Sequence, residues 1–167
     1  MNNLWKYLSL LVCASFLNVA FADVTIPVHL TAKNDKGKDL GTVVAQNSRY
    51  GLLLIPHLTG LPPGIHGFHI HENPNCGDDG MAAGGHLDPL HTGKHLGPYN
   101  ESGHLGDMPV LIVDKDGNAT SPVLAPRLRL ADIKNHSLMI HAGGDNYSDN
   151  PMMGGGGARL ACGIIPK

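Results

Sequence analysis

The chain has 167 residues and a formal net charge of −2 at pH 7, with 22 glycines, 12 prolines and only 5% aromatic residues. It contains no block of basic residues that would bind nucleic acid and no basic amphipathic helix that would bind a membrane surface. The glycine and proline content favours short strands joined by turns over helices.

Residues 1–22 are predicted to be a secretory signal peptide. Lys6 supplies a positive charge, residues 7–20 are mostly apolar, and Ala20-Phe21-Ala22 matches a cleavage pattern. The apolar stretch is short for a membrane span, and no later segment resembles one. Cleavage would leave residues 23–167 as one exported domain, free of the membrane and large enough for a sizeable core.

Short segments rich in apolar residues predict strands along the rest of the chain. They cover residues 24–30, about 40–45, about 50–58, 67–71, 110–113, 119–124, 137–141 and 160–165. The segments 110–113 and 119–124 are predicted to form a hairpin that turns at Asp116-Gly117, and residues 127–135 suit a short helical turn. About eight such strands predict an all-β protein, an eight-stranded antiparallel Greek-key sandwich or barrel.

Two long connections interrupt this pattern. Residues 73–108 and 142–159 are rich in glycine, and the first also in histidine. Unstructured loops of this length are uncommon in compact domains and are usually functional or disordered. Because they hold many of the histidines and the motifs Gly84-Gly85-His86 and Gly143-Gly144-Asp145, we expect both loops to be functional.

His69 and His71 lie in the strand-like run Gly67-Phe68-His69-Ile70-His71. Side chains alternate between the two faces of a strand, so both imidazoles point one way while Phe68 and Ile70 point the other way. This arrangement suits a metal ion. The alternative is that both histidines are polar residues on the solvated face of an antiparallel strand.

Further candidate ligands lie in the loops. The first loop offers His86, His91, His95, His104 and Asp107. Three neutral imidazoles and one carboxylate suit a closed tetrahedral zinc site, and on spacing alone His91 competes with His95 for it. His141 ends a strand where it could meet His69 and His71, and a site made only of imidazoles suits copper. Scattered loop histidines could instead be solvated surface groups.

The exported chain keeps two cysteines. Cys13 lies in the predicted signal peptide, which leaves Cys76 and Cys162 in residues 23–167. An oxidising compartment outside the cytosol favours their pairing as a disulfide.

Six motifs in chain order resemble those of copper–zinc superoxide dismutases. They are Gly67-Phe68-His69-Ile70-His71-Glu72, Gly84-Gly85-His86-Leu87-Asp88-Pro89, Lys94-His95-Leu96-Gly97-Pro98, Gly103-His104-Leu105-Gly106-Asp107, His141-Ala142-Gly143-Gly144-Asp145-Asn146 and Gly156-Gly157-Ala158-Arg159-Leu160-Ala161-Cys162-Gly163. Together they cover nearly all of the exported chain. The spacing of Cys76 after His71 is similar to the exported bacterial branch of the family, so the resemblance implies a periplasmic enzyme.

The resemblance implies two metal ions in each subunit. The copper ligands it implies are His69, His71, His86 and His141. The zinc ligands it implies are His86, His95, His104 and Asp107. His86 would serve both ions through its two ring nitrogens. The match of the Lys94 to Pro98 motif favours His95 over His91. Asp145 would lie behind the ligands and accept hydrogen bonds from one copper histidine and one zinc histidine.

The resemblance also implies the activity. Superoxide anion would be the substrate, and dismutation would yield oxygen and hydrogen peroxide. Arg159 would attract and orient the anion beside the copper ion, and His86 would take up a proton when copper is reduced. The family disulfide would join Cys76 to Cys162. Two alternatives are a protein that stores or delivers metal and a catalytically silent relative, but neither predicts a complete ligand set together with Arg159.

One segment departs from the family pattern. Gly77 to Ala83 is short, carries Asp78 and Asp79 and lacks lysine. In the bacterial branch this region contributes to the subunit contact and to the charges that steer superoxide. The resemblance therefore implies a homodimer with a monomer as the alternative, and Lys94 is the nearest remaining basic candidate for steering.

Overall fold

The computed structural model describes residues 23–34 and 36–167. The predicted signal peptide lies outside the described residues. The strands of the described part are β1 Val24–Leu30, β2 Asp39–Ser48, β3 Gly51–Thr59, β4 Gly64–His66, β5 Phe68–His71, β6 Leu111–Val113, β7 Asn118–Ala119, β8 Val123–Ala125, β9 Ser137–His141 and β10 Arg159–Ile164. One short helix, α1, spans Leu130–Ile133, and single 3-10 turns occur at Met81–Ala83 and Met152–Gly155.

Eight of these strands form one antiparallel sheet. Its order is β5-β9-β10-β1-β2-β3-β7, and β8 also pairs with β3. The first and last strands are neighbours in the sheet, and β4 and β6 form a separate two-stranded ladder. The prediction of an all-β, eight-stranded antiparallel protein is confirmed. Within the described residues, no helix is long and apolar enough to cross a membrane.

The core follows the alternation of the strands. In β1, Ile26 and Val28 are buried while Thr25 and Pro27 are exposed. In β5, Phe68 and Ile70 are fully buried in the main hydrophobic cluster. His69 and His71 on the opposite face of β5 are also fully buried, which means that the loops cover this face and exclude water from it.

The prediction that residues 110–113 pair with residues 119–124 as a hairpin is wrong. The turn itself forms, because the Asp114 carboxylate accepts hydrogen bonds from the backbone N–H groups of Asp116 and Asn118. Beyond the turn, however, β6 pairs with β4, whereas β7 and β8 pair with β3. Pro122 lies between β7 and β8 and has no N–H for a continuous ladder. The predicted helical turn within residues 127–135 is confirmed as α1.

The first long loop pairs with the outer edge of β5. One side of β5 pairs with β9, and on the other side Ile70 bonds to the loop. The Ile70 N–H donates to the Gly106 carbonyl at 3.0 Å, and the Ile70 carbonyl accepts from the Leu87 N–H at 2.8 Å. Gly106 in turn donates to the Leu87 carbonyl at 2.8 Å. The loop therefore satisfies the backbone groups of an edge strand, which would otherwise be exposed.

The close approach at Gly106 leads to a stability prediction. A Cβ atom at this position would lie 2.3 Å from the Ile70 carbonyl oxygen and 2.9 Å from the Leu87 nitrogen. We expect Gly106→Ala to lower the free energy of unfolding of the metal-free protein by about 2 kcal/mol, because rigid backbone must move apart. Urea denaturation followed by circular dichroism measures this change.

Gly144→Ala is the matched control. A Cβ atom there would have its nearest neighbour, the Ile65 carbonyl oxygen, at 3.6 Å, which is an ordinary contact. This variant should unfold within about 0.5 kcal/mol of the wild type. Equal stability of the two variants would show that the loop adjusts freely around β5.

Candidate metal centre

Four buried histidines converge at one end of the sheet. His69 and His71 come from β5, His141 ends β9, and His86 comes from the first long loop. One ring nitrogen from each lies within 4.8 Å of those of the others. Pairing between Phe68 and Ile140 sets β5 against β9, and this register brings His141 towards the β5 histidines.

The free nitrogens of three of these rings face one another. Among the described buried atoms, Nδ1 of His69, Nε2 of His71 and Nε2 of His141 have no hydrogen-bond partner. The other nitrogen of each ring is held. His69 Nε2 lies 2.6 Å from an Asp145 carboxylate oxygen, His71 Nδ1 lies 3.0 Å from the Gly84 carbonyl, and His141 Nδ1 lies 3.3 Å from the Gly157 carbonyl. Each ring can therefore donate its proton backwards and present a lone pair to the centre, as metal ligands do.

The electrostatic environment keeps these rings neutral. Burial, together with repulsion from His86, lowers the pKa of His69 to about 3 and lowers the pKa of His71 well below its ordinary value. Burial also lowers the pKa of His141 to about 4. Neutral imidazole is the form that binds metal. The donor set, made only of imidazoles, fits copper.

A second buried group lies beside the first. Its members are His86, His95, His104 and Asp107. One Asp107 carboxylate oxygen lies 2.9, 3.0 and 3.4 Å from the Nδ1 atoms of His86, His95 and His104 respectively. Nδ1 of His95 and of His104 has no hydrogen bond despite this proximity. Three imidazoles and one carboxylate converging in this way fit a tetrahedral zinc ion.

Asp107 is ionised and fixed in place. Burial acts to raise the pKa of Asp107, but its contacts with His104, His86 and His95 outweigh burial and hold this pKa well below its usual range. Its second oxygen accepts from the backbone N–H groups of Leu96 and Gly97 at 3.2 and 3.3 Å. The carboxylate is therefore directed towards the three rings.

His86 belongs to both groups. Its Nδ1 faces Asp107 in the second group, and its ring centroid lies 4.0 Å from that of His69 in the first. Only histidine among the common side chains offers two ligand nitrogens on opposite sides of one ring. The two groups are therefore joined through a single imidazole.

Asp145 joins the two groups a second time, from behind. One oxygen lies 2.6 Å from His69 Nε2, and the other lies 2.8 Å from His95 Nε2. The Tyr147 backbone N–H also donates to this carboxylate at 2.8 Å. Burial acts to raise the pKa of Asp145, but these hydrogen bonds lower it below its usual value. The carboxylates of Asp107 and Asp145 together raise the pKa of His95 to about 9, against the effect of burial.

Arg159 lies at the edge of the first group. It is directly opposite His141 in the β9–β10 ladder. Its guanidinium donates to the carbonyls of Gly80 and Gly84, each at 2.6 Å. A disulfide between Cys76 and Cys162 ties the part of the first long loop just before Gly80 to β10, with Cα atoms 5.8 Å apart. The positive charge is therefore held rigidly and is half-buried beside the histidines.

The other histidines lie outside both groups. His91 and His57 are exposed, and His29 and His136 are partly exposed. His66 is buried, with its ring nitrogens 2.8 Å from the carbonyl oxygens of His141 and Pro62. Of the two candidates that the spacing left open, His95 rather than His91 joins the second group.

Several supporting contacts were not predicted from the sequence. They are the Gly84 carbonyl, which accepts from both His71 and Arg159, the Asp149 carboxylate, which accepts from the His95 backbone, and the Arg127 guanidinium, which contacts the first loop. Each joins residues that are distant in sequence, and no local pattern marks them.

Two buried metal-binding groups that share one histidine on an antiparallel β-sheet define a binuclear metalloprotein. A family model described as copper/zinc superoxide dismutase matches residues 40–165, and the chain belongs to this family. The resemblance noted in the six motifs is thereby confirmed.

Individual relatives agree with this assignment. "Superoxide dismutase [Cu-Zn] 1" of Salmonella typhimurium is 54% identical over 175 aligned positions, which cover 98% of this chain and 99% of the relative. The structure of a Cu/Zn superoxide dismutase from Brucella abortus has a TM-score of 0.81 at 47% identity, covering 86% of this chain and 99% of that chain. The solution structure of the monomeric copper, zinc superoxide dismutase from Salmonella enterica has a TM-score of 0.75 at 52% identity, with the same coverage.

The position of Asp145 leads to a prediction about metal affinity. We expect Asp145→Asn to weaken binding by about 10- to 100-fold at the group whose histidine faces the amide NH₂, because the NH₂ cannot accept a proton from that ring and the ring loses its orientation. Equilibrium competition with a chelator measures both affinities.

Asp88→Asn provides the control for the same loss of charge. Within the described residues, the Asp88 carboxylate accepts its hydrogen bonds from Thr92 and Gly93 of its own turn. This variant should bind both metals as the wild type does. Unchanged affinities in Asp145→Asn would mean that packing alone orients the two rings.

Proposed function

We propose that this protein is an exported copper–zinc superoxide dismutase that converts superoxide to oxygen and hydrogen peroxide. The observation that carries this proposal is the pair of complete, buried donor groups that share His86. The copper ligands are His69, His71, His86 and His141. The zinc ligands are His86, His95, His104 and Asp107.

The reaction needs two superoxide anions in turn. One loses an electron and becomes oxygen, and the other gains that electron and two protons and becomes hydrogen peroxide. Bound copper supplies the one-electron redox chemistry, and zinc, whose d shell is full, is redox-inert. His86 holds a proton at its Nε2 atom in one half of the cycle and releases it to the product in the other half.

Arg159 binds and orients the substrate. A guanidinium fixed by two carbonyl groups presents the remaining N–H groups as a positive charge of defined position. Superoxide is a small anion, and a fixed charge at the edge of a dry site raises its local concentration despite the net charge of −2 on the chain.

The alternative of a metal storage or delivery protein predicts tight metal binding with negligible dismutation. Such a protein has no use for an arginine held beside the first histidine group. The position of Arg159 opposite His141 favours the enzyme over this alternative.

Export to the periplasm is part of the proposal. Residues 1–22 have the composition of a signal peptide, and the disulfide between Cys76 and Cys162 suits an oxidising compartment. The mature protein would then be residues 23–167, in contact with neither membrane nor nucleic acid. The sequence resemblance implies a homodimer, whereas the monomeric Salmonella enterica relative favours the monomer. Size-exclusion chromatography with light scattering distinguishes the two states.

The decisive test of function is His141→Ala. This change removes one ligand nitrogen of the copper group. We therefore expect superoxide to decay only at its spontaneous rate in the presence of the metal-loaded variant. Stopped-flow measurement of superoxide absorbance follows the decay. His57→Ala, which removes an exposed histidine outside both groups, should keep full activity. Equal decay with the wild type and His141→Ala would contradict the proposal.

The role of Arg159 can be tested through ionic strength. We expect Arg159→Gln to lower kcat/KM for superoxide by about tenfold and to reduce its dependence on salt, because the fixed charge that attracts the anion is lost. Arg159→Lys should recover part of the rate.

Lys115→Gln is the control for the same change in net charge, since Lys115 is exposed and forms an ion pair with its sequence neighbour Asp116. It should leave both the rate and its salt dependence unchanged. A loss of rate that is equal in the Arg159 and Lys115 variants would show that overall charge, rather than the position of Arg159, governs the encounter.

A further inference from the structure

Arg127 bonds three backbone carbonyls of the first long loop. One guanidinium nitrogen, Nη1, donates to the carbonyls of His104 at 3.0 Å and Gly97 at 3.3 Å. The other, Nη2, donates to the Gly103 carbonyl at 2.9 Å. Between 23 and 30 residues of chain separate Arg127 from these partners. The contact therefore links distant parts of the fold.

These carbonyls belong to the part of the loop that holds the second metal group. Residues 94–107 contain His95, His104 and Asp107 but have neither helix nor strand. Gly97 lies just after His95, while Gly103 and His104 lie on the returning arm of the same segment. Arg127 thus bridges the two arms that carry the two histidines.

The guanidinium is the donor shared by all three acceptors, and the His104 carbonyl also accepts from the Asp107 N–H at 3.4 Å. Gly97, Gly103 and His104 are all buried, and a buried carbonyl without a partner costs free energy. The arms are also linked by the hydrogen bond from the His104 N–H to the Lys94 carbonyl at 2.9 Å and by the Asp107 carboxylate, which accepts from the Leu96 and Gly97 N–H groups. The guanidinium supplies the donors that a regular ladder would supply elsewhere.

The position of Arg127 itself is fixed by the core. It follows β8, which pairs with β3, and precedes α1. Its neighbour Leu128 is 1% exposed and belongs to the hydrophobic cluster, and the Leu128 N–H donates to the Ala125 carbonyl. The loop is therefore bound to a residue that cannot move with it.

We propose that Arg127 is a positioning residue for the zinc group: its guanidinium holds the two arms of residues 94–107 so that His95, His104 and Asp107 converge. This inference rests on the proposed function, which assigns zinc to that group. Arginine suits the role because its planar fork can donate to three carbonyls at once, whereas the single ammonium of lysine has no such fork. None of the three acceptors belongs to His69, His71 or His141, so the effect should fall on zinc rather than on copper.

The experiment compares Arg127→Met, Arg127→Lys and Arg129→Met with the wild type. Arg129 lies two residues away, and in the part of the chain that the structure describes its guanidinium donates to the nearby carbonyls of Pro126 and Leu128, so its variant is the matched control. Zinc affinity is measured by chelator competition, and the visible spectrum of Co²⁺ bound in place of zinc reports the ligand geometry. Copper affinity of the zinc-loaded protein and urea unfolding of the metal-free protein are measured alongside.

We expect Arg127→Met to weaken zinc binding by about 10- to 100-fold and to alter the Co²⁺ spectrum. Copper affinity should change by less than about threefold, Arg127→Lys should recover part of the zinc affinity, and Arg129→Met should match the wild type. Unchanged zinc affinity in Arg127→Met would overturn the inference. So would parallel losses of zinc affinity, copper affinity and metal-free stability, since these would indicate a general structural role.

Failure of the inference is distinguishable from failure of the proposed function. A wild type that binds no zinc and gives no Co²⁺ spectrum would overturn both. The inference alone would be overturned by a different pair of results. The wild type would bind one copper and one zinc and dismutate superoxide, and the Arg127→Met variant would have the same zinc affinity as the wild type.

Discussion

The arrangement of both metal groups depends on the outer edge of β5. An edge strand exposes backbone N–H and carbonyl groups that need partners, and here the first long loop supplies them at Ile70. Because the loop follows β5 as a strand would, His86 lies opposite His71 and Asp107 lies opposite His69. The loop segment thus takes its position from a sheet that is already stabilised by its own core. The histidines of β5 and those of the loop meet because one backbone pairing holds them in register.

The metal-free centre is an unfavourable arrangement that a cation would relieve. Five of its ring nitrogens are buried without hydrogen bonds, and burial together with neighbouring rings disfavours protonation of the copper-group histidines. Unpaired buried polar atoms cost free energy on folding. Metal binding replaces this cost with coordination bonds, so the affinity for metal and the stability of the fold are coupled. The hydrogen bonds behind the rings are already formed, which leaves little reorganisation for binding.

Local pattern was sufficient to predict most of the strands and the shared face of His69 and His71, because alternation along a strand is a property of neighbouring residues. The ligand sets came from the resemblance of six motifs, and the spacing alone left His91 and His95 as competitors. Pairing between distant segments was harder to predict. The turn at Asp114 to Asn118 formed as expected, yet β6 paired with β4, since competing strands elsewhere decide that choice. Arg127 had no signal at all, because its three acceptors are backbone carbonyls and any sequence provides those.

The Gly84 carbonyl oxygen accepts a hydrogen bond from Nδ1 of His71 and another from the guanidinium of Arg159. One atom therefore sets both the tilt of a ring in the copper group and the place of the charge that faces the solvent. Because they share this acceptor, the effects of changes at His71 and Arg159 are not expected to add. A shift of the Gly84 backbone would therefore alter the orientation of an imidazole and the position of a positive charge in a single movement.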